Sequence, residues 1–100
     1  MRGSRIGRPV MALLDLLGRK TALRILWEMS RADRAMTFRA LQGAADTNPA
    51  LLNTRLKELR VSGLVFHDGD GYRLSARGLE LLKLLLPLSE WANEWAGDPH

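Results

Sequence analysis

NPALLNTRLKELRVSGL, residues 48–64, is the stretch whose reading decides the fold. Its Asn-Pro opening is a helix start: the Asn side chain can cap a free N–H, and Pro fits the first turn, where its missing N–H is not needed. Gly63 marks the stop, since glycine tolerates the left-handed conformation past a helix end. Leu52, Leu56 and Leu59 fall within roughly 60° of one another on a helical wheel. Ala50, Asn53, Thr54 and Lys57 lie roughly 100–200° from Leu52, and Val61 follows on the same side. One face is core. The other carries small residues, an amide, a hydroxyl and an amine, which are groups able to approach base edges and bond to them.

Working outward, the upstream segments also read as helices. RPVMALLDLLG has Pro9 in its first turn, an apolar stripe of Val10, Leu13, Leu14 and Leu17, and a stop at Gly18. KTALRILWEMS follows with Leu23, Leu26 and Trp27 on one face. After the polar RADRA comes MTFRALQGAA, a short helix with Thr37 as N-cap and Leu41 as inward anchor. ADTN joins it to the 48–64 helix, which makes the pair a helix-turn-helix.

Past Gly63 the pattern turns extended. LVFH and YRLS, joined by HDGDG, predict a two-stranded hairpin. Ser75 can cap a last helix through ARGLELLKLLL, with a bend or break expected at residues 83–87 because Pro87 lacks an N–H and crowds the preceding turn. The expected fold class is mainly α with a small β-hairpin, a winged helix-turn-helix. Residues 9–95 form its one domain, between a basic arm at 1–8 and a short flexible tail at 96–100.

Composition narrows the function. Residues 1–40 hold nine Lys/Arg against three Asp/Glu, residues 41–75 four of each, and residues 76–100 two against four. The net charge of +4 is therefore concentrated in the first part of the chain, as suits a polyanionic partner. The chain has no cysteine, which removes disulfides, thiol redox chemistry and thiolate metal sites. Its two histidines, His67 and His100, are not spaced with carboxylates for metal or triad chemistry. No run of apolar residues reaches membrane-spanning length, and no apolar run follows the basic MRGSRIGRP. A cytoplasmic binding protein without enzymatic activity or cofactor is the expectation.

Several blocks carry a family likeness. GRKTALRILWEMS (18–30), FRALQ (38–42), NPALLNTRLKELRVSGLV (48–65), YRLSARGLELL (72–82) and Trp91 together resemble the HxlR-type winged-helix regulators, a group related to the larger MarR class. The most specific pieces are the Pro-x-x-Leu-x-x-Arg-Leu-x-x-Leu-x-x-x-Gly-Leu-Val run from Pro49 to Val65 and the Leu-Ser-x-x-Gly run from Leu74 to Gly78. The resemblance implies a homodimeric transcription regulator on an inverted-repeat operator, dimerised through its terminal helices. The chain departs from the pattern at Thr21, where Trp is usual, and at Ala50 and Thr54, where basic residues are common. It departs also in an acidic wing tip, Asp68-Gly69-Asp70-Gly71, and in lacking the cysteine of redox-sensing members.

The candidate DNA-binding residues follow. Ala50, Asn53, Thr54 and Lys57 would read bases, while Thr37, Arg39, Asn48, Arg55 and Arg73 would anchor phosphates. Arg55 lies beside the core stripe and serves a structural role equally well. The candidate dimer interface is Met11, Leu14, Leu85, Leu88, Trp91 and Trp95, because the last helix is apolar on more sides than one small chain can cover. The partners expected are double-stranded DNA and a second copy of the chain. A small-molecule effector is compatible with this reading, though no residue identifies one. The competing reading is a winged-helix module that binds protein, favoured by the uncharged small residues of the reading face and by the acidic wing.

Overall fold

The computed structural model describes residues 7–97. Helices α1 (Arg8–Leu17) and α2 (Ala22–Arg31) lead into a two-residue strand β1 (Met36–Thr37), then α3 (Phe38–Ala45) and α4 (Pro49–Val61). Strands β2 (Val65–Asp68) and β3 (Gly71–Leu74) form the wing, and α5 (Ala76–Gly97) closes the chain. Of the residues read as a basic arm, Arg8 begins α1, and Arg2 and Arg5 lie outside the described residues. At the other end, Ala96 and Gly97, read as tail, complete α5.

α2 supplies the centre of the core. Ile25, Leu26, Leu41, Leu52, Leu56 and Leu59 are its largest fully buried side chains, drawn from α2, α3 and α4. Leu64, Val65, Leu81 and Leu82 join them, so wing and last helix share the same core. No polar or charged side chain is buried among the described residues. None of α1 is buried: Leu13, Leu16 and Leu17 rest against the core, while Val10, Met11 and Leu14 stay exposed.

The hairpin expectation is corrected to a three-stranded antiparallel sheet, ordered β1-β3-β2. Met36 pairs with Tyr72 and Thr37 with Gly71, so the segment before α3 ties the helix-turn-helix to the wing. Pairing so distant in sequence leaves no periodic trace in a two-residue strand.

α4 ends as its sequence requires. Gly63 has φ 81, its N–H donates to the Arg60 carbonyl at 3.0 Å, and the Leu64 N–H donates to the Leu59 carbonyl at 3.0 Å. These two bonds are a Schellman stop, which satisfies carbonyls the helix would otherwise leave free. The Leu74–Gly78 motif then explains itself. Ser75 Oγ donates to the Gly63 carbonyl at 2.6 Å and accepts the Gly78 N–H at 3.0 Å, capping α5. The Ser75 N–H donates to the Leu64 carbonyl at 2.9 Å, and Gly78 lies so close to that carbonyl that no side chain fits there.

Of the bend or break expected at residues 83–87, the break does not occur: α5 runs as one helix through Pro87. Pro87 removes the donor for the Lys83 carbonyl, but both residues are exposed. Water can take the carbonyl, so the helix loses one bond without burying an unpaired group.

Candidate nucleic-acid interface

Thr37 caps α3, its Oγ1 accepting the Ala40 N–H at 3.1 Å. α3 ends at Asp46, which adopts the left-handed φ of 52, and the Thr47 N–H donates back to the Gln42 carbonyl at 3.2 Å. Asn48 then caps α4, its Oδ1 accepting the Leu51 N–H at 2.8 Å with Pro49 in the first turn. Both caps foreseen in the sequence form, and the short turn between them fixes α4 against α3.

On α4 the leucines face the core, leaving Ala50, Asn53, Thr54 and Lys57 exposed along the outer side. Thr54 Oγ1 donates to the Ala50 carbonyl at 3.1 Å, which spends its proton and leaves the oxygen able to accept. The Asn48 amide N–H₂ makes no hydrogen bond among the described residues and lies beside the helix N-terminus, where anions are favoured. Lys57 and Arg39 are exposed and make no ion pair among the described residues.

Two of the candidate anchors hold acidic partners within the chain. The Arg55 guanidinium is mostly buried; its Nε donates to the Lys20 carbonyl at 2.8 Å and its Nη1 meets Glu58 Oε1 at 3.1 Å. Its partners are internal, and through them it braces α4. Arg73 Nε donates to Asp68 Oδ2 at 2.8 Å across the wing, which neutralises it and half of the acidic tip together.

Sequence reasoning missed the network around Arg55. Arg19, in the turn after α1, reaches Asp15 at 3.0 Å and Glu58 at 2.9 Å. The bond to Asp15, then the field of Glu58, push the Arg19 guanidinium above its ordinary value, so it is charged at any working pH. Only the i, i+4 spacing of Asp15 and Arg19 hinted at it; the Glu58 contact is tertiary.

A second exposed feature lies away from α4. Leu84, Leu88, Trp91 and Trp95 follow i, i+4, i+7, i+11 spacing along α5, and 55–72% of each is exposed. Trp91 and Trp95 stack with centroids 6.0 Å apart and planes 11° from parallel. Met11 and Leu14 on α1 are likewise open, at 63% and 52%. Leu85, grouped with them in the sequence reading, turns instead against the core. His67 stacks on Tyr72 at 4.6 Å, and no cluster of metal-holding groups exists among the described residues. No described helix is long and apolar enough to cross a membrane.

Three helices around a buried core, a capped helix pair with one polar outer face, and a three-stranded sheet behind it define a winged helix-turn-helix. Among solved structures, the chain is similar to quinone-bound YodB from B. subtilis, with TM-score 0.79 and 21% identity over 87% of this chain and 97% of that one. It is similar also to a possible HxlR family transcriptional factor from Thermoplasma volcanium, with TM-score 0.75 and 23% identity over 90% and 86% of the two chains. A homodimeric winged helix-turn-helix DNA-binding domain from Mycobacterium bovis, a possible ArsR-family regulator, matches over the full length of both chains with TM-score 0.62 and 20% identity. In sequence, an uncharacterised HTH-type transcriptional regulator of Methanocaldococcus jannaschii is 27% identical over 90 residues, covering 85% of this chain and 83% of the relative. No family model matches the chain. The HxlR likeness read from the sequence is thus found again among solved structures, which at these identities show the fold.

Proposed function

We propose that this protein is a sequence-specific DNA-binding transcription regulator that acts as a homodimer on an inverted-repeat operator. The observation that carries the reading is the outer face of α4, where Ala50, Asn53, Thr54 and Lys57 are exposed and take part in no ion pair among the described residues, on a helix capped at its N-terminus. In helix-turn-helix proteins the N-terminal part of this helix enters the major groove. There Asn53 can bond adenine through both its amide groups, and Lys57 can reach guanine or phosphate. Thr37, Arg39 and Asn48 lie at the N-terminal ends of α3 and α4, where the phosphate backbone would pass.

The dimer is supported by the α5 stripe. Together with Val10, Met11 and Leu14 it exposes on the order of 800 Å² of apolar surface, the amount one partner contributes to a standard protein interface. The M. bovis neighbour is homodimeric, and the M. jannaschii relative bears the name of a transcriptional regulator.

Selection of bound duplexes from a random pool tests the proposal. A recovered inverted repeat, with half-sites about one helical turn apart, is expected. Asn53→Ala should then cost roughly 1–3 kcal/mol on the selected site and little on random DNA. A protein that enriches no sequence, and whose binding to duplex shows no salt dependence, is the protein-binding module instead.

A further inference from the structure

The far end of α4 and the first wing strand border a shallow, open surface cleft of about 570 Å³, lined by Lys57, Arg60, Val61, Val65, Phe66 and His67. Its chemistry is one-sided. Two cations and an imidazole line it, and no carboxylate does. Among the described residues, Lys57 and Arg60 hold no acidic partner, as is true also of Arg8, Lys20, Arg31, Arg39 and Lys83, and Lys57 and Arg60 are the two of these that line this cleft. Arg60 stands in the last turn of α4, where the helix dipole favours a cation. Val61 and Phe66 beside it are exposed at 83% and 44%, a large apolar surface for so small a wing.

The wing tip, a few residues further on, has the opposite character. Asp68 and Asp70 flank Gly69, and Arg73 is bound to Asp68. A phosphate approaching the tip would meet carboxylates. One approaching the base of the wing would meet Arg60 and Lys57.

We propose that this cleft seats a stretch of DNA phosphodiester backbone beside the major groove, with Arg60 as the chief phosphate contact and Val61 and Phe66 covering the neighbouring sugar. The wing then contributes through its base and not its tip. DNA backbone is preferred to an acidic peptide because Lys57 belongs to both the cleft and the reading face of α4. A duplex engaged by Asn53 and Lys57 therefore continues directly past Arg60. This inference rests on the DNA-binding proposal above.

The test is the full-length protein and its Arg60→Gln variant on two duplexes: a site selected by the wild-type protein and a random sequence of equal length. Dissociation constants are measured from about 50 to 200 mM salt. If Arg60 neutralises a phosphate, the slope of log K against log salt becomes shallower by about 1 for each protomer bound. Affinity should fall by a similar factor on both duplexes, and Arg60→Lys should restore most of the slope. An unchanged slope with wild-type affinity, or a loss confined to the selected site, overturns the inference and leaves the DNA-binding proposal standing. A wild-type protein that enriches no site and binds no duplex overturns both. An unchanged melting temperature for Arg60→Gln separates a lost contact from a damaged fold.

Discussion

Gly78→Ala is a sharp test of the fold, because two opposing effects meet at one methyl group. In an exposed helix, alanine is favoured over glycine by about 1 kcal/mol. At Gly78 the methyl would overlap the Leu64 carbonyl oxygen and lie 3.2 Å from its carbon and 3.3 Å from Leu74 Cδ2. That carbonyl cannot withdraw freely, since it accepts the Ser75 N–H at 2.9 Å and follows directly on the Gly63 stop of α4. Relief requires α5 to part from the wing by about 1 Å, at the 1–3 kcal/mol typical of overpacking. The move also strains the Ser75 cap, and losing a cap costs a further 0.5–2 kcal/mol or so. The expected net loss is about 2–3 kcal/mol, which for a domain of this size lowers the melting temperature by about 10–20 °C. Gly43→Ala is the matched control: Gly43 lies in α3 with nothing within 4 Å of an added methyl, and this substitution should stabilise by up to about 1 kcal/mol. Both are read by calorimetry or circular dichroism at one protein concentration, because melting of a dimer depends on concentration. A Gly78→Ala protein as stable as wild type would refute the close approach of α5 to Leu64.

Two further outcomes are expected. Trp91→Ala removes a side chain that is 59% exposed in the single chain. If the partner covers it, the loss is about 3–5 kcal/mol, seen as dissociation in sedimentation at micromolar protein with loss of operator binding; a wild-type monomer under those conditions would end the dimer proposal. Asp68→Asn frees Arg73 and removes one tip charge, so duplex affinity should hold or rise, with the larger gain at low salt where screening is weaker. A marked fall in affinity would mean that the carboxylate itself bonds to DNA.

What the sequence disclosed and what it withheld divide along a physical line. Features fixed within a few residues were legible: the caps at Thr37, Asn48 and Ser75, the stop at Gly63, and the inward leucines of α4 all depend on local spacing. Features fixed by distant partners were not. The strand at Met36–Thr37 exists only because Tyr72 and Gly71 come to pair with it. Arg73 read as a free cation and Arg55 stayed open between a phosphate and an internal acid, because a guanidinium's partner is chosen by tertiary structure; each has an acid within reach in the fold. For a related reason Pro87 does not break α5. Its cost depends on whether the orphaned carbonyl meets water, and that is a property of the packed surface. Arg60 was overlooked since it stands only three positions beyond Lys57 on the same helix, and its meaning appears once β2 lies beside it.

Glu58 is gripped from two sides, by Arg19 below α1 and by Arg55 on its own helix, while Arg55 also holds the Lys20 backbone. The helix that would read DNA is therefore bolted to the segment leading straight out of α1. In a dimer joined through α1 and α5, that bolt makes the interface a ruler. The distance between the two reading helices is set by how the terminal helices pack, and a slight rotation there alters which half-site spacing fits. Selectivity for an operator would then reside in two places at once, in the side chains that touch bases and in the angle at which two copies meet.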